Sequence, residues 1–516
     1  MADLLKLQNG SDIRGVALEG VEGENVNLTP QIAKQIGCAF VSWLEKKSGT
    51  VASGLKIGVG RDSRLSGPAL SDGLIDGIIA AGAKVVDCGM ATTPAMFMSI
   101  VFAETDFDGS CMITASHLPF NRNGIKFFDG DGGLEHEDIT EILTLAGLLN
   151  PAKIFAPVDK VDLIEIYADY LKQKICQGIG SENEPLKGLH IVVDSGNGAS
   201  GFFAEKILQP LGADISGSQF LEPDGNFPNH IPNPENKEAM AAIQNAVLKN
   251  HADLGLIFDT DVDRMSAVLS DGSEVNRDSI IAMIAAILAP DYPGSTIITD
   301  SVTSDRLTYF LQDVLGLKHL CYMRGYKNVI NKQKELNSKG ITAPLAMETS
   351  GHGALKDNFF LDDGAFLAVK LVIALAKAAK EGKKLDSLIE KLPPLVEEGE
   401  YRFKIQGDDF KEYGKKVLEE FKKRAQSKGY CLPETYEGVR ISFKGNDAPG
   451  GAATDLVGGA SDAGDVQGWM LLRLSLHDPV MPLNIEGGRK GDLAKLVAIA
   501  KELTDGFDRL DRTCLK

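Results

Sequence analysis

A strand–loop–helix–strand pattern recurs three times along the chain and limits the possible folds more than any other feature. The first copy starts at the apolar run Leu55–Val59, passes a Gly-rich loop and continues into the helix-like stretch Pro68–Ala81. The other two copies start at Leu189–Val193 and at Thr296–Thr299. Their predicted helices are Phe202–Leu211 and Arg306–Leu315, and the second strands of the three copies are Lys84–Val86, Ala213–Ile215 and His319–Tyr322. Because this order of elements gives a right-handed parallel crossover, we predict three α/β units, whether or not the three are related.

The last part of the chain has a different pattern, which begins after the Pro-containing segment Leu392–Leu395, a sequence typical of a linker. The predicted strands are Tyr401–Ile405, Gly438–Phe443, Trp469–Leu476 and Leu483–Glu486, and the predicted helices are Asp409–Lys428 and Asp492–Leu510. This mixture indicates a small α+β domain. At about 150 residues per domain, 516 residues agree with four domains. The predicted boundaries are 1–157, 158–277, 278–390 and 396–516.

The composition excludes several classes of protein. A formal net charge of −18, from 72 acidic and 54 basic residues, argues against general nucleic-acid binding and against attachment to an anionic membrane. The longest apolar stretches, such as Ile280–Pro290, are too short to cross a bilayer. The segment Met1–Gly10 contains an acidic residue and no long apolar core, so it does not resemble a signal peptide.

The seven cysteines are scattered and never form a CxxC pair, which indicates reduced thiols and not a disulfide framework or a zinc site. We therefore expect a cytoplasmic protein, or an organellar one if a transit peptide has been removed. The sequence leaves the oligomeric state open between monomer and dimer.

One glycine motif invites a nucleotide-binding interpretation. Gly196, Gly198 and Gly201 satisfy G-x-G-x-x-G between a predicted strand and a predicted helix, and Glu222 follows about twenty residues later. Any tight strand-to-helix turn also favours glycine, so the motif alone is weak. We favour a packing turn, because stronger motifs elsewhere require no nicotinamide.

A cluster of three aspartates, Asp259, Asp261 and Asp263, follows the apolar run Leu254–Phe258. In an extended loop alternate residues share a face, so the three carboxylates can converge on one hard cation. An EF-hand is excluded because Arg264 and Ser270 stand where that loop needs a turning residue and a bidentate glutamate. A solvated acidic turn is the alternative. We favour Mg²⁺, which combines carboxylates with a phosphate oxygen.

A second polar loop carries Ser116 and His117, with Lys126 a short distance along the chain. A turn of small residues that presents a serine beside a histidine and a lysine can hold an activated or phosphorylated serine. Taken alone, the dipeptide is more often an incidental feature of a polar loop.

These two loops and several others together resemble the α-D-phosphohexomutase superfamily, the phosphoglucomutases, phosphomannomutases and phosphoglucosamine mutases. The segments that carry the resemblance are Thr114–Lys126 (phosphoserine loop), Asp259–Arg264 (magnesium loop, with Thr260 in place of the usual Gly), Glu348–His352 (sugar-recognition loop), Gly10–Gly15, Gly60–Gly67, Pro223–Gly225, Phe227–His230 and Pro232–Glu235. They span the chain in the order and spacing of the family. The resemblance implies three similar α/β domains with mixed parallel sheets and a smaller C-terminal α+β domain around one central cleft.

The resemblance also implies an activity. A phosphohexomutase interconverts hexose 1-phosphate and hexose 6-phosphate, here of glucose or mannose, through a phosphoserine and a hexose 1,6-bisphosphate, which also serves as activator. The residues carried over as catalytic are Ser116, His117, Lys126, Arg14, Arg264 and His352. Those carried over as substrate-binding are Arg61, Gly325, Tyr326, Glu348, Ser350, Arg473 and Ser475, and the magnesium ligands are phosphorylated Ser116, Asp259, Asp261 and Asp263.

The C-terminal domain departs from the family pattern. Its phosphate loop keeps Arg473, Ser475 and Pro479, but Leu476 and His477 replace a small residue and a threonine. In addition, Pro482 and Asn484 stand where a later arginine is usual, and neither supplies bidentate, charge-assisted bonds to phosphate. Arg489 is the remaining candidate to replace that arginine.

Three other functions stay open. A phosphoglucosamine mutase is one, although the E-T-S form of the sugar loop differs from the E-Q-S form typical of glucosamine enzymes. A phosphotransferase that makes and releases hexose 1,6-bisphosphate is the second, and the altered C-terminal loop is compatible with it. A non-catalytic sugar-phosphate binding protein is the third, and the intact Ser116, Lys126 and aspartates argue against it.

Overall fold

The computed structural model describes residues 4–152, 154–407, 409–444, 466–475 and 478–515. Contacts divide these residues into two compact units. The first unit comprises the described residues up to Asn276 together with Ser350–Ser387, and the second comprises Arg277–Thr349 together with the described residues from Leu388 onward. Among the described residues, no helix is both long enough and apolar enough to cross a membrane.

The N-terminal part of the first unit is a mixed eight-stranded sheet with helices packed on it. The strands are β1 (Gln8–Asn9), β2 (Asp12–Val16), β3 (Lys56–Arg61), β4 (Lys84–Met90), β5 (Gly109–Ile113), β6 (Arg122–Asp129), β7 (Gly132–Gly133) and β8 (Asp159–Lys160). The helices are α1 (Pro30–Ser48), α2 (Gly67–Ala80), α3 (Thr93–Val101) and α4 (His136–Ala146). The order is β1-β2-β6-β5-β3-β4-β8, with β7 paired to β6; β5, β3, β4 and β8 are parallel, and the other pairs are antiparallel.

Local sequence explains where the longest of these helices begins and ends. The side chain of Thr29 accepts a hydrogen bond from the Ile32 amide, and Pro30 occupies the first turn, where its missing N–H costs nothing. Gly49 ends α1 at a φ of 74°, a conformation that glycine adopts without strain. The buried face of α1 packs into the core, where the rings of Phe40 and Phe127 lie 4.9 Å apart.

The second part of the first unit contains a smaller mixed sheet in the order β12-β11-β10-β9. Its elements are α5 (Leu163–Ile179), β9 (Ile191–Asp194), α6 (Lys237–Asn250), β10 (Leu254–Phe258), β11 (Met265–Leu269) and β12 (Glu274–Val275). Strands β9 and β10 are parallel, and the other two pairs are antiparallel.

The crossover predicted in this second part is only partly present. The predicted helix contains the π-helical stretch Phe203–Leu208, and the predicted second strand Ala213–Ile215 contributes one isolated bridge, between His190 and Asp214. The strand does not continue because the Asp214 carboxylate accepts a hydrogen bond from the Ser216 amide and turns the chain.

The next segment, in the second unit, contains the third crossover. Its elements are α7 (Arg277–Leu288), β13 (Thr296–Thr299), α8 (Asp305–Tyr309), β14 (Lys318–Cys321), α9 (Tyr326–Ser338) and β15 (Leu345–Met347). Strands β14 and β15 both pair with β13 in parallel, so the predicted strand–helix–strand order is confirmed here. The segment Ser350–Ser387 of the first unit then contributes β16 (Gly353–Leu355) and β17 (Leu361–Asp362), which pair antiparallel, and α10 (Gly364–Lys380).

The C-terminal part of the second unit is an antiparallel sheet in the order β19-β20-β21-β18-β22, with two helices. The elements are β18 (Glu397–Ile405), α11 (Phe410–Ser427), β19 (Val439–Phe443), β20 (Gly468–Leu472), β21 (Val480–Gly487), α12 (Asp492–Leu503) and β22 (Leu510–Asp511). The predicted α+β architecture is therefore confirmed. The prediction of one helix to Leu510 is wrong, because α12 ends at Leu503 and Gly506, at a φ of 77°, turns the chain into β22.

Arg440 in β19 attaches this C-terminal sheet to the loop after β13 within the second unit. Its guanidinium lies 4.0 Å from the centre of the Trp469 ring, pairs with Asp305 at 2.9 Å and donates to the carbonyls of Ser301 and Thr303. Hydrogen bonds to backbone carbonyls and a cation–π contact both fix a planar guanidinium firmly. The loop after β13 and the C-terminal sheet are therefore held together.

Candidate active site

Ser116 lies in the loop that follows β5 and has a backbone conformation that non-glycine residues rarely adopt. Its φ is 49°, and its amide donates to the side-chain oxygen of Thr114 at 2.9 Å. The side chain is buried, and its hydroxyl oxygen lies 2.7 Å from a carboxylate oxygen of Asp259. Such a conformation costs free energy and persists only where the surroundings impose it.

Arg64 imposes much of that loop conformation. Its guanidinium is completely buried and lies 5.3 Å from the centre of the Phe227 ring. It donates hydrogen bonds to four backbone carbonyls of the loop, those of Ser116, Leu118, Pro119 and Arg122, at 2.5 to 2.9 Å. A planar guanidinium with five donors is the side chain suited to this task. The motif around Arg64 is visible in the sequence, but nothing in it indicates this role.

Replacing Arg64 by lysine is expected to lower the free energy of unfolding by roughly 3 kcal/mol, because an ammonium group cannot satisfy carbonyls spread over this loop. Urea unfolding of the whole chain measures the change. The matched variant Arg122→Lys alters a half-exposed pair with Glu24 at the end of the same loop and is expected to cost less than about 1 kcal/mol. Equal stability of the two variants would contradict the role given to Arg64.

The three aspartates lie in the turn between β10 and β11, and all three are buried. Three backbone amides from distant segments bind this turn: Thr93 donates to the carbonyl of Asp261, Ala199 to that of Thr260 and Gly364 to that of Val262, at 2.9 to 3.1 Å. Val262 has a φ of 69°, which is rare for a β-branched residue. The strained turn is therefore fixed by its neighbours on three sides.

Glycines allow these neighbours to approach. A Cβ atom at Gly198 would lie 2.8 Å from the Cα of Thr260, and one at Gly364 would lie 2.7 Å from the carbonyl of Arg264. A Cβ at Gly201 would lie 2.4 Å from the carbonyl oxygen of Leu221. The G-x-G-x-x-G motif thus has the close backbone contacts that a packing turn requires.

Basic side chains surround the aspartates. Arg264 pairs with Asp259 at 3.0 Å, and Lys126 donates to Asp263 at 2.5 Å. Asp261 accepts a hydrogen bond from the Thr93 hydroxyl at 2.5 Å and lies 3.5 Å from the Lys126 ammonium. Among the described residues, Oδ1 of Asp261 and Oδ1 of Asp263 are buried and have no hydrogen-bond partner.

This donor set fits a divalent cation. One oxygen from each of Asp259, Asp261 and Asp263 lies within 4.8 Å of the others. Burial, followed by repulsion from Asp263, raises the pKa of Asp259 well above its ordinary value. Burial acts in the same direction on Asp263, but the nearby charges of Lys126 and Arg264 hold its pKa below the ordinary range. A hard cation would offset the repulsion and use the two unpartnered oxygens.

Arg264 also determines the protonation state and tautomer of His117. Its NH2 group lies 2.8 Å from the Ser116 hydroxyl oxygen and 2.6 Å from Nδ1 of His117. Because a guanidinium only donates, Nδ1 accepts and the proton of the neutral ring sits on Nε2. Burial of the ring, followed by Arg264 and Arg14, lowers the pKa of His117 to about 3, although the residue as a whole is exposed. The hydrogen bond from Arg264 supports the neutral state independently.

Burial favours the neutral form of His352 as well. Its Nδ1 lies 2.8 Å from the hydroxyl of Ser350, and its Nε2 lies 3.6 Å from Asp263. Burial lowers its pKa to about 3, and the attraction of Asp263 does not reverse this effect. The structure therefore places Ser350 and His352, on the chain that leads to β16, beside the aspartate turn.

The two remaining arginines of the first unit lie on strands. Arg14, in β2, donates to the carbonyl of Thr114 and pairs with Asp12 at 2.9 Å. Arg61 is the last residue of β3 and donates to the carbonyl of Asp62 at 3.3 Å. Arg14 thus supports the strand that leads into the Ser116 loop, whereas Arg61 contacts the turn that carries Arg64.

The second unit holds the other predicted substrate-binding residues. The amide of Gly325 donates to Glu348 at 2.7 Å, and Tyr326 begins α9 directly after it. Arg473 follows β20 and lies 3.8 Å from Glu437, a residue that belongs to none of the motifs recognised in the sequence. The hydroxyl oxygen of Ser475 accepts from the Asp478 amide at 3.2 Å.

The structure describes only some of the residues at which the C-terminal loop departs from the family pattern. Leu476 and His477 lie outside the described residues. Pro482 accepts a hydrogen bond from the Arg473 amide at 2.9 Å. Asn484 is buried in β21, and Arg489 pairs with Asp492 at 3.3 Å, at the start of α12.

Comparison with known proteins gives consistent matches over most of the chain. Residues 5–146, 165–272 and 276–396 match the families described as phosphoglucomutase/phosphomannomutase, alpha/beta/alpha domains I, II and III. The chain is 30% identical to the phosphomannomutase/phosphoglucomutase of Pseudomonas putida, over 94% of this chain and 92% of that protein. It is also 30% identical to the phosphoglucomutase/phosphomannomutase of Thermococcus kodakarensis, over 92% of this chain and 93% of that protein.

A solved structure agrees with these matches. The crystal structure of a phosphoglucomutase/phosphomannomutase family protein from Burkholderia thailandensis has a TM-score of 0.74 and 26% identity, covering 96% of this chain and 97% of that chain. The resemblance inferred from the motifs is thereby confirmed, and so are the three α/β domains followed by an antiparallel C-terminal domain. The chain belongs to the phosphoglucomutase/phosphomannomutase family of the α-D-phosphohexomutase superfamily.

Proposed function

We propose that the chain is a mutase that interconverts hexose 1-phosphate and hexose 6-phosphate, with glucose and mannose phosphates as substrates. The observation that carries the proposal is the environment of Ser116. Its hydroxyl oxygen lies between a carboxylate of Asp259 and the guanidinium of Arg264, at 2.7 and 2.8 Å, in a strained and clamped loop. A group that must accept and release a phosphoryl group needs such fixed positioning beside neutralising charge.

In the proposed reaction Ser116 carries a phosphoryl group. The free hydroxyl oxygen of the hexose phosphate forms a bond to that phosphorus, the bond from phosphorus to Oγ breaks, and its electron pair stays on Oγ. The hydroxyl proton passes to Lys126 in its neutral amine form, or to His117, whose Nδ1 becomes free when Arg264 turns to stabilise the oxygen that is released. The resulting hexose 1,6-bisphosphate reorients and returns its other phosphate to Ser116 by the reverse step, so phosphate moves between C1 and C6.

We assign the metal site to Asp259, Asp261 and Asp263, with a phosphate oxygen on Ser116 as the fourth ligand. Mg²⁺ at this site would neutralise phosphate charge during transfer. The support is the close approach of three buried carboxylates and the two oxygens without hydrogen-bond partners among the described residues. Hexose 1,6-bisphosphate is the proposed activator, because it phosphorylates Ser116.

We assign the sugar and the second phosphate to the remaining residues. Glu348 and Ser350 hold sugar hydroxyls, Gly325 and Tyr326 line the sugar site, and His352 assists near the sugar. The residues assigned to the phosphates and their developing charge are Arg14, Arg61, Lys126, Arg264, Arg473 and Ser475.

The domain boundaries predicted above remain part of this proposal, as does a cytoplasmic or organellar location. The free state of all seven cysteines supports a reducing compartment. A phosphosugar is the expected partner, and nucleic acids and membranes are not expected, in line with the net charge of −18.

A coupled assay tests the activity. Glucose, mannose and glucosamine 1-phosphates are supplied separately with Mg²⁺ and a trace of glucose 1,6-bisphosphate, and formation of each 6-phosphate is followed. We expect turnover of the glucose and mannose compounds and much slower turnover of the glucosamine compound. Preference for glucosamine 1-phosphate would identify the chain as a phosphoglucosamine mutase instead. Absence of turnover with all three compounds would contradict the proposed mutase activity.

A second function is favoured by one observation. Glu437 lies 3.8 Å from Arg473, and Pro482 and Asn484 stand where a later arginine is usual, which weakens the expected grip on the second phosphate. A phosphotransferase that releases hexose 1,6-bisphosphate would release this product more readily if the second phosphate were bound weakly. Accumulation of bisphosphate from hexose phosphate and an acyl or nucleotide phosphate donor would favour this function over isomerisation.

A further inference from the structure

Arg473 is a buried cation whose bonding is incomplete within the described residues. The residue is 9% exposed, and among the described residues its Nε has no hydrogen-bond partner. Its Nη1 lies 3.8 Å from Oε1 of Glu437, too far for a hydrogen bond but close enough for strong electrostatic attraction. A guanidinium in this state is available for an anion, and a carboxylate already stands beside it.

The position of Glu437 does not depend on Arg473. The same Oε1 accepts hydrogen bonds from the Arg324 amide, at 2.8 Å, and from the Ser301 hydroxyl. Ser301 follows β13, and Arg324 directly precedes Gly325 of the proposed sugar site. Two neutral donors on the second unit therefore hold the carboxylate in place next to Arg473.

The other charged groups nearby include acids as well as a second arginine, Arg324. Arg324 lies 3.9 Å from Asp300, which is completely buried and accepts a hydrogen bond from Thr349 at 3.0 Å. Burial lowers the pKa of Arg473, and Glu437 is the strongest nearby charge that opposes this effect. The two arginines thus face three acids, Glu437, Asp300 and Glu400, so this region attracts a phosphate less than its arginines alone would.

We propose that Glu437 is a fixed counter-ion that weakens phosphate binding by Arg473 and thereby sets how tightly Arg473 holds the non-reacting phosphate. The inference rests on the proposed function, which gives that phosphate to Arg473, and adds the group that limits its affinity. In the proposed reaction the bisphosphate must reorient, so each phosphate has to leave Arg473 in turn. A counter-ion that replaces the departing phosphate lowers the electrostatic cost of that departure.

The substitution Glu437→Gln isolates the charge. Glutamine keeps an oxygen acceptor for the Arg324 amide and the Ser301 hydroxyl but removes the negative charge beside Arg473. The matched control is Glu434→Gln, which makes the same change at an exposed residue of the same loop. All variants carry Ser116→Ala, so that no phosphoryl transfer disturbs the equilibrium.

Titration calorimetry with glucose 6-phosphate and with inorganic phosphate measures the effect. We expect Glu437→Gln to bind glucose 6-phosphate about fivefold more tightly, as removal of one partly screened charge near the ligand implies, and Glu434→Gln to bind unchanged. When Arg473→Ala is also present, Glu437→Gln should give no gain in affinity for glucose 6-phosphate. A gain in affinity is not an effect that structural damage produces.

Three results would overturn the inference. Unchanged or weaker binding by Glu437→Gln, with the parent binding normally, overturns it alone, as does an equal gain in the Arg473→Ala background. A parent that binds neither ligand, and that with native Ser116 converts none of the hexose phosphates, overturns both the inference and the proposed function.

Discussion

Replacement of Ser116 by alanine is expected to lower mutase turnover by roughly 10⁴-fold or more, the order of loss that follows removal of an enzyme's nucleophile. Alanine offers no oxygen to carry the phosphoryl group, and the remaining groups cannot substitute for it. The fold should survive, because the ion pair between Asp259 and Arg264, 3.0 Å apart in the native chain, does not depend on the hydroxyl. The coupled assay measures the rate, and thermal unfolding measures the stability.

Ser110→Ala provides the matched control for this substitution. Ser110 lies in β5, on the strand that leads to the Ser116 loop, and its buried hydroxyl donates to the carbonyl of Met96 at 2.6 Å. Its loss is expected to cost about 1 kcal/mol of stability and to leave turnover nearly unchanged. A Ser116→Ala protein with the turnover of Ser110→Ala would exclude the proposed covalent step.

Replacement of Asp261 by asparagine is expected to raise the Mg²⁺ concentration for half-maximal activity by roughly 100-fold, because a charged ligand becomes a neutral one. The metal-free protein should also lose stability. Burial and repulsion from Asp263 raise the pKa of Asp261, but Lys126, the Thr93 hydroxyl and Arg14 outweigh them and hold it below its ordinary value. The charge of Asp261 therefore stabilises the fold at neutral pH, and its loss should lower the melting temperature without metal. The stabilisation that Mg²⁺ gives to the parent should largely disappear.

Two measurements check this prediction: activity as a function of Mg²⁺, and thermal unfolding with and without Mg²⁺. Asp271→Asn is the matched control, since Asp271 lies in the exposed turn after β11 and is not part of the aspartate cluster. An Asp261→Asn protein that keeps the Mg²⁺ dependence of the control would refute the assignment of the metal site.

The aspartate cluster could be predicted from local sequence, whereas the role of Ser116 was predicted from the resemblance to the family. Ser116 and the aspartates follow apolar runs that become β5 and β10, and such strand ends are where functional loops lie. The prediction that Asp259, Asp261 and Asp263 converge on a cation required only their alternate positions in the sequence. That Lys126 reaches Asp263 at 2.5 Å was not predictable from the sequence, because the contact joins residues 137 positions apart.

The supporting residues could not be predicted for the same reason. In the sequence, Arg64 cannot be distinguished from other arginines of polar loops. Its role depends on four backbone carbonyls that only the folded chain brings to its guanidinium. The left-handed conformations of Ser116 and Val262 are likewise imposed by tertiary contacts, against the preference of both residue types. Thr93, whose hydroxyl donates to Asp261, has no sequence feature that indicates this contact; it is the first residue of α3.

The errors in the fold arise where local patterns end. The apolar residues after Leu503 continue the periodicity of α12, but Gly506 turns the chain and Leu510 pairs with Ile405 of β18. The run Ala213–Ile215 has the apolar character of a strand, yet one bridge is all it contributes. In both places a single turn-forming residue outweighs the hydrophobic pattern.

The central claim is that Ser116 carries phosphate between the two positions of the sugar. The most direct test incubates the dephosphorylated chain with glucose 1,6-bisphosphate that carries radioactive phosphate, maps the label by peptide mass spectrometry and then adds unlabelled glucose 1-phosphate. We expect label on Ser116 and its complete transfer to the sugar. Active interconversion with no label on Ser116, or label that glucose 1-phosphate does not remove, would contradict the account.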